Sequence, residues 1–362
     1  MSSPQNVQTS DRGTPRSRDL IHRTLLGEDT PRVPTGPLAV HFCAKHAGIS
    51  LQHYSTNASA LADSVVRYYE RFRPDAVWIS ADTWVSAEAM GARVNAPDPQ
   101  QPLGGTGEPL VRTARDIDRI PPPDPGSQGR YPLMLEALDR VRRAIGQEAW
   151  VVACFDQYPF SLAAALLGLN QIMIKVLEDR SFVESLMERC LEYGRSYGRA
   201  LGAAGADLLS GGDSPAGLIG PSAYRELAWP FEQRLIAELK STTRKPVSLH
   251  ICGNARPILG AMAASGADVL ELDHQVDLAE ACRLAGPSVT LWGNLDPVRL
   301  LAQGNPEEIR IAARRAVELA RSCQHSRFVL SSGCTLALET PPENLDALLN
   351  IFPATHRQPD PC

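Results

Sequence analysis

The feature that most constrains the fold is a series of strand-length apolar runs, separated by segments with helical spacing. The runs do not alternate strictly between polar and apolar residues, which is typical of strands buried on both faces of a parallel sheet. The eight runs are PLAVHFC (37–43), AVWISAD (76–82), WVVACFD (150–156), DLLSGGD (207–213), VSLHICG (247–253), DVLELDH (268–274), VTLWGN (289–294) and FVLSSGC (328–334). Eight strand–helix units predict an α/β fold, a single (β/α)8 TIM barrel, with a two-sided open sheet as the alternative.

The segments between the runs carry helix signals. Residues 131–146 have one apolar stripe at helical spacing. Asn305 followed by Pro306 predicts a capped helix start, and Thr340 with Glu343 has the spacing of a capping box. Strand and helix therefore alternate to the end of the chain.

Two segments interrupt this alternation. Residues 95–130 are rich in Pro and Gly and predict a long excursion after the second strand, and residues 160–205 hold more helix than one crossover needs. Both are expected to decorate the mouth of the barrel. The predicted organisation is a disordered tail (1–18), the barrel (19–352) and a C-terminal tail (353–362).

Composition excludes several classes of protein. The net charge is −5 and no run of Lys or Arg forms a basic stripe, so a nucleic-acid partner is not expected. No apolar stretch approaches the roughly 20 residues of a membrane helix, and the polar, Pro/Ser-rich opening is not a signal peptide. We therefore expect a cytoplasmic protein whose eight cysteines are reduced.

Polar side chains gather at the ends of the predicted strands, where barrel enzymes carry their active sites. These residues are Asp82, Asp156, Asp213, His250, Cys252, Glu271, Asp273, His274, Asn294 and Cys334. Chance placement would scatter such residues along the chain, so this edge is the predicted functional site.

A His-x-Cys pair at the end of the fifth run suggests a metal site. In an extended chain His250 and Cys252 point the same way, about 7 Å apart at Cα. Zinc favours nitrogen and sulfur ligands, and Cys334 would approach from the eighth strand across the mouth. The alternative is a hydrogen-bonded core histidine beside a buried thiol; Cys334 at another strand end favours zinc.

Longer stretches resemble the uroporphyrinogen decarboxylase superfamily. The most specific are HICGN (250–254), LWGNLDP (291–297), SSGCTLALETPPENL (331–345) and GADLLSGGDSPAGLIGPSAYRELAWP (205–230). They most resemble the zinc branch, the corrinoid-dependent methyltransferases. The decarboxylases carry Gly-His where this chain has Gly333-Cys334, and their Arg-rich substrate loop has no counterpart around residues 37–53.

The resemblance implies a set of site residues. The zinc ligands of that branch carry over to His250, Cys252 and Cys334. An acidic residue after the sixth strand can complete the metal shell, which points to Asp273, where the relatives have Glu; Glu271 is the fallback. Asp273 capping a helix is the alternative to its role as a ligand.

The resemblance also implies substrate-site residues. Asp82 matches an aspartate region of the decarboxylases and is a candidate catalytic residue, the polar anchor of a metal-free lyase, or else a helix cap. Asp213 (candidate catalytic) and Tyr158 (candidate substrate-binding) lie where the family lines its pocket. Asn294 is a second candidate substrate contact.

The activity implied is zinc-dependent transfer of a methyl group from a methyl-Co(III) corrinoid (methylcobalamin), carried by a partner protein, to an acceptor. The acceptor is a thiol such as coenzyme M, or tetrahydrofolate, and the sequence does not select between them. The alternatives are a metal-free decarboxylase-type lyase and a non-catalytic zinc-binding relative. The oligomeric state stays open, a homodimer included.

Overall fold

The computed structural model describes residues 17–95, 103–104 and 108–351. The strands are β1 Ala76–Ile79, β2 Val94–Asn95, β3 Leu103–Gly104, β4 Trp150–Gln157, β5 Leu208–Gly212, β6 Ser248–Ile251, β7 Val269–Leu272, β8 Thr290–Leu295 and β9 Phe328–Ser332. The helices are α1 Ser17–Leu26, α2 Val40–Ala47, α3 Leu51–Thr56, α4 Ala58–Phe72, α5 Val85–Ala89, α6 Ala114–Asp118, α7 Tyr131–Ile145, α8 Pro159–Leu167, α9 Leu169–Glu178, α10 Arg180–Ala203, α11 Pro221–Ala223, α12 Trp229–Thr243, α13 Leu259–Ala263, α14 Leu278–Ala285, α15 Pro306–Ser322 and α16 Pro342–Leu349.

Seven of these strands form one parallel sheet in the order β1-β4-β5-β6-β7-β8-β9. Neighbours in the sheet follow one another along the chain, with helices between them, as repeated strand–helix units require. The strands predicted from the second to the eighth apolar run are therefore confirmed. Because the strands are parallel, all their carboxyl ends lie at one edge.

The first predicted strand is wrong. Residues 37–43 do not join the sheet, because Val40–Ala47 forms helix α2. Its residues from Val40 to Ala44 are all buried. A short apolar run buried on all sides has no periodicity that separates a strand from a helix, and this run is a helix.

A shorter segment lies in the place expected for the first strand. Leu330 of β9 donates its N–H to Pro34 O (2.9 Å) and accepts from Gly36 N (3.0 Å). On the other side, Asp75 N, just before β1, donates to Thr35 O (2.8 Å). Residues 34–36 thus touch both outer strands of the seven-stranded sheet.

The sheet separates two apolar clusters. The smaller lies on one face and joins Trp78, Trp150 and Trp292 with aliphatic residues of neighbouring strands and of α1. The larger packs the helices against the other face. α1 contacts β1, β4 and β9, and the indole of Trp150 donates to Arg18 O (3.0 Å).

The excursion after the second predicted strand is only partly described. β2 and β3 form a separate antiparallel pair, and α6 follows them. Within 160–205 the chain forms α8, α9 and α10, the expected surplus of helix. The predicted tails lie outside the described residues, except that residues 17 and 18 begin α1 and so are not tail, and Ile351 is the last residue described.

No single helix in the described ranges is long and apolar enough to cross a membrane. Only α8 and α9 taken together reach that length and composition, and they meet at 110°.

Candidate metal centre

Three side chains from two separated strands converge at the carboxyl edge of the sheet. His250 lies on β6, Cys252 follows it, and Cys334 lies two residues beyond β9. One ligand atom from each lies within 4.8 Å of the others. His250 Nε2 is 2.9 Å from Cys252 Sγ, which is 3.7 Å from Cys334 Sγ. The predicted convergence therefore occurs among residues 82 positions apart.

The neighbouring strand orients the imidazole of His250. Its Nδ1 lies 2.9 Å from the backbone carbonyl of Glu271 on β7. A carbonyl oxygen only accepts, so Nδ1 carries the proton and Nε2 faces the two sulfurs. Metal-binding histidines are held in this way, with the second ring nitrogen donating to a fixed acceptor.

The three groups shift one another's pKa values. Burial is the largest influence on the pKa of His250 and lowers it, but the interactions with Cys334 and Glu271 together raise the pKa to a net value of about 9. The hydrogen bond with Cys334 lowers the pKa of Cys252 to about 7, and the same bond raises the pKa of Cys334 to about 12. With a pKa of about 7, Cys252 is partly a thiolate near neutral pH.

The backbone on either side of Cys252 is held by other strand ends. Cys252 N donates to Ser214 Oγ (3.2 Å), just beyond β5. Gly253 N donates to Asp273 Oδ2 (2.8 Å), just beyond β7. Gly253 has φ 82°, a left-handed conformation that glycine adopts without strain. The thiol of Cys252 is consequently positioned, although the residue is exposed.

These donors fit zinc. Tetrahedral zinc with Zn–S near 2.3 Å and Zn–N near 2.0 Å places two sulfurs about 3.8 Å apart and nitrogen about 3.5 Å from sulfur. The observed S–S distance of 3.7 Å matches, and the N–S distance of 2.9 Å has to open by a fraction of an ångström. Nitrogen with two sulfurs is the donor set of zinc rather than of Mg²⁺ or Ca²⁺.

Neither candidate carboxylate belongs to this group of three. Asp273 is buried, with Oδ2 bonded to Gly253 N and Oδ1 accepting from Gln275 N (2.8 Å). Glu271 is also buried, and its Oε1 accepts from Ser210 Oγ (2.7 Å) and from Ser248 Oγ. The role of a carboxylate as fourth ligand stays a prediction.

Asp82 lies at its predicted strand end but is already paired. Its Oδ1 accepts from Arg130 Nη2 (3.0 Å) and Trp84 N (2.8 Å), and Oδ2 accepts from Arg130 Nη1. Arg130 also bonds Glu88. Asp82 therefore holds the turn that precedes α5, through Trp84 N, and forms half of a buried ion pair, but it does not cap the helix; a catalytic role stays a prediction.

Asp213 and Tyr158 are fully buried. Asp213 Oδ1 accepts from Ser161 N (2.8 Å) and Ser161 Oγ (2.6 Å), and its backbone N–H donates to His250 O (2.8 Å). Burial raises the pKa of Asp213 to about 6 and the pKa of nearby Glu232 well above its ordinary value. Tyr158 donates its hydroxyl to Ser248 O (2.7 Å). In this structure the side chain of Asp213 bonds to α8 and the side chain of Tyr158 bonds to β6.

Asn294 also bonds to backbone. Its Nδ2 donates to Asp273 O (3.0 Å) and to Val276 O (2.7 Å), so it holds the turn after β7. The substrate contacts predicted for Tyr158 and Asn294 stay predictions.

For three residues of this region the sequence did not predict the contacts. Ser214 anchors Cys252, Arg130 neutralises Asp82, and His274 lies between Asp273 (3.2 Å) and Asp296 (3.6 Å). His274 was visible as a strand-end residue and Ser214 directly follows another. Nothing in the sequence pairs Arg130, at the far end of the excursion, with Asp82.

The fold and the site define a class: an α/β protein with a parallel sheet and a His-Cys-Cys cluster at its carboxyl edge. The sequence model of the Uroporphyrinogen decarboxylase (URO-D) family matches residues 16–354. The chain belongs to the URO-D family.

The relatives within the family divide between two activities. A uroporphyrinogen decarboxylase from Prochlorococcus marinus is 28% identical over 91% of this chain and 94% of its own length. The methylcobamide:CoM methyltransferase MtbA of Methanosarcina acetivorans is also 28% identical, over 76% of this chain and 78% of its own. A solved methyltransferase from Methanosarcina mazei superposes with a TM-score of 0.83 at 25% identity, covering 93% of this chain and 98% of that one. Identity alone does not separate the two activities.

Proposed function

We propose that this protein is a zinc-dependent methyltransferase that moves a methyl group from a methyl-Co(III) corrinoid, carried by a partner protein, to a small acceptor. The observation that carries the proposal is the His250–Cys252–Cys334 cluster, whose donors and spacing suit zinc. The likeness to methylcobamide:CoM methyltransferases supports it. The acceptor is a thiol such as coenzyme M, or tetrahydrofolate.

The residues of the chain divide the work. His250, Cys252 and Cys334 would hold a zinc ion, whose Lewis acidity would let a bound acceptor thiol lose its proton at neutral pH. The acceptor thiolate would receive the methyl group from the methyl-Co(III) corrinoid of the partner protein, so that a methyl thioether and Co(I) would result.

The proposal includes a closed barrel as the scaffold. We infer that residues 34–36 complete the ring between β9 and β1, because they bond to Leu330 on one side and to Asp75 on the other. A closed barrel gathers all strand ends around one mouth, where a corrinoid protein would dock.

The test is a methylcobalamin demethylation assay with a panel of acceptors: coenzyme M, other small thiols and tetrahydrofolate. Co(I) is followed by absorbance, and zinc per chain is measured in parallel. We expect about one zinc in the wild-type chain, and its loss in Cys252→Ala and Cys334→Ala while the fold is kept. Cys190→Ala, at a buried cysteine of α10, is the control and should keep both zinc and turnover. A wild-type protein that takes up no zinc would refute the proposal.

A metal-free carboxy-lyase is the second candidate, because decarboxylases match as well by identity. A substrate with many carboxylates needs unpaired cations. Arg130, the buried cation beside Asp82, is instead paired with Asp82 and Glu88. Decarboxylation of uroporphyrinogen by zinc-free protein would establish this candidate.

A non-catalytic zinc-binding relative is the third candidate. It shares the cluster with the methyltransferase, so metal content does not separate the two. Zinc uptake without turnover of methylcobalamin by any acceptor would favour it.

A further inference from the structure

The turn that follows Cys252 is tied to the end of a neighbouring strand by one carboxylate. Asp273 Oδ2 accepts from Gly253 N (2.8 Å) and Oδ1 from Gln275 N (2.8 Å). Asp273 is 4% exposed, so these two backbone donors are its main compensation for lost water. Both oxygens of Asp273 thus accept from backbone N–H groups, and Oδ1 also lies 3.2 Å from His274 Nδ1.

The turn that carries Asp273 is itself fixed. Asn294, on β8, donates Nδ2 to Asp273 O (3.0 Å) and to Val276 O (2.7 Å). His274, the next residue, packs its backbone against Gly333, which directly precedes Cys334. One turn therefore touches the backbone next to two members of the cluster.

We propose that Asp273 is a positioning residue that fixes the Cys252 turn for metal binding, and that it is not the fourth ligand. No oxygen of Asp273 lies within 4.8 Å of all three ligand atoms of the cluster, so its carboxylate would have to move toward them to bind the same metal ion, and that movement would disturb its hydrogen bond from Gly253 N. The fourth position then stays open for the acceptor, which enters without displacing a protein ligand. This inference rests on the zinc site of the proposed function.

The first test measures zinc affinity by competition with a chromophoric chelator. Partners that orient metal ligands typically account for 10- to 100-fold in affinity. We expect Asp273→Ala to weaken zinc binding by about 10- to 100-fold, and Asp273→Asn, which keeps one acceptor oxygen, by less. The matched control is Asp277→Ala: Asp277 lies in the same connection and accepts from Glu280 N (2.8 Å), but does not touch the Cys252 turn. Unchanged affinity in Asp273→Ala, or an equal loss in Asp277→Ala, would overturn the inference.

The second test separates positioning from ligation. At saturating Co²⁺, the visible spectrum of Asp273→Ala should match that of the wild type, because His250, Cys252 and Cys334 remain the donors. A changed spectrum would show that the carboxylate is a ligand and would contradict the inference.

A third measurement needs no metal. In the zinc-free chain, amide hydrogen exchange across residues 250–256 should be faster in Asp273→Ala than in wild type and in Asp277→Ala. If the wild-type protein takes up no zinc, the proposed function is wrong, but this measurement still tests whether Asp273 fixes the Cys252 turn. If zinc binds and amide exchange is the same in Asp273→Ala as in wild type, only the positioning role of Asp273 is wrong.

Discussion

At the scale of single residues, Asp156 at the carboxyl edge combines an unfavourable backbone conformation with a buried carboxyl group. It ends the apolar part of β4 with φ 80°, which a non-glycine residue rarely adopts. Its Oδ2 accepts from Ser86 N (2.8 Å), and its buried Oδ1 has no hydrogen-bond partner in the part of the chain that is described. Burial raises the pKa of Asp156 to about 7; the Ser86 N–H opposes this shift, and the charge of Asp82 adds to it.

This raised pKa makes stability depend on pH. The unfolded chain releases this proton near pH 4, whereas the folded chain holds it to about pH 7. Between these values the native state binds more protons, so the free energy of unfolding falls as pH rises. We expect Asp156→Asn to remove this pH dependence. Between pH 4 and pH 8 the free energy of unfolding of the variant should rise relative to that of wild type by up to about 4 kcal/mol.

Denaturant unfolding at pH 4, 6 and 8 measures this gain. Asn keeps the acceptor for Ser86 N and tolerates a positive φ, so the substitution tests the charge. Asp63→Asn, at an exposed position of α4, is the control for losing a negative charge. A stability difference for Asp156→Asn that stays constant with pH would contradict the argument.

The backbone at Gly333, directly before Cys334, lies very close to the backbone of His274. A Cβ at this position would lie 2.4 Å from the backbone nitrogen of His274, which has no freedom to retreat. We expect Gly333→Ala to move Cys334, to weaken zinc binding and to cost about 1–3 kcal/mol of stability. Gly260→Ala, in α13, where no atom lies within 4 Å, is the control. Zinc content and denaturant midpoint, both unchanged in Gly333→Ala, would show that the approach does not constrain the site.

Residue identity predicted part of this site and geometry supplied the rest. His250, Cys252 and Cys334 could be chosen because Cys334 lies at the end of another predicted strand and because the motifs around all three resemble the zinc branch of the family. The hydrogen-bond partners of the Asp82 and Asn294 side chains could not be predicted. Their partners are Arg130 and the backbone of Asp273 and Val276, and a backbone acceptor leaves no trace in the sequence.

At the scale of elements, two predicted helix starts have different outcomes. Asn305 caps α15, accepting from Glu307 N and Glu308 N while Glu308 returns a bond to Asn305 N. The capping box predicted at Thr340 is wrong, because α16 begins at Pro342 with Pro341 as its cap. The hydroxyl of Thr340 is buried and has no hydrogen-bond partner among the described residues.

These two starts give a matched pair of substitutions. Asn305→Ala should lower the free energy of unfolding by about 1 kcal/mol, because two backbone N–H groups lose their acceptor. Thr340→Val keeps the shape and removes an unsatisfied buried hydroxyl, so it should cost nothing or stabilise. Chemical denaturation of both variants decides this. A larger loss in Thr340→Val than in Asn305→Ala would show that the hydroxyl of Thr340 has a role.

The missed strand has a physical cause. Residues 34–37 read PTGP, and a proline has no N–H for a sheet ladder, so this stretch carries no strand signal. Its contribution to the sheet is the bridge from Thr35 to Leu330. The strongly apolar residues that follow, from Val40 onward, attract the strand assignment instead and form α2.

At the scale of the whole molecule, the repeated pattern predicted more than any single element did. The first predicted strand was wrong, but the other seven form the parallel sheet. These seven strands are enough to bring the strand ends to one edge. Because parallel strands all run in the same direction, the residues at their carboxyl ends lie together at one edge of the sheet. A wrong assignment for one strand does not change this placement of the others.

The same architecture predicts what happens when metal is removed. The apolar clusters pack against the two faces of the sheet, and the Cys252 turn is held by Ser214 and Asp273 without any ion. We expect chelation to abolish methyl transfer while the far-ultraviolet circular dichroism at 25 °C stays native. The melting temperature should fall, because zinc binds the native state and stabilises it by mass action. Adding zinc back should restore activity and melting temperature together. Unfolding on chelation, as in domains that metal alone holds together, would show that the ion supplies the stability assigned here to the core.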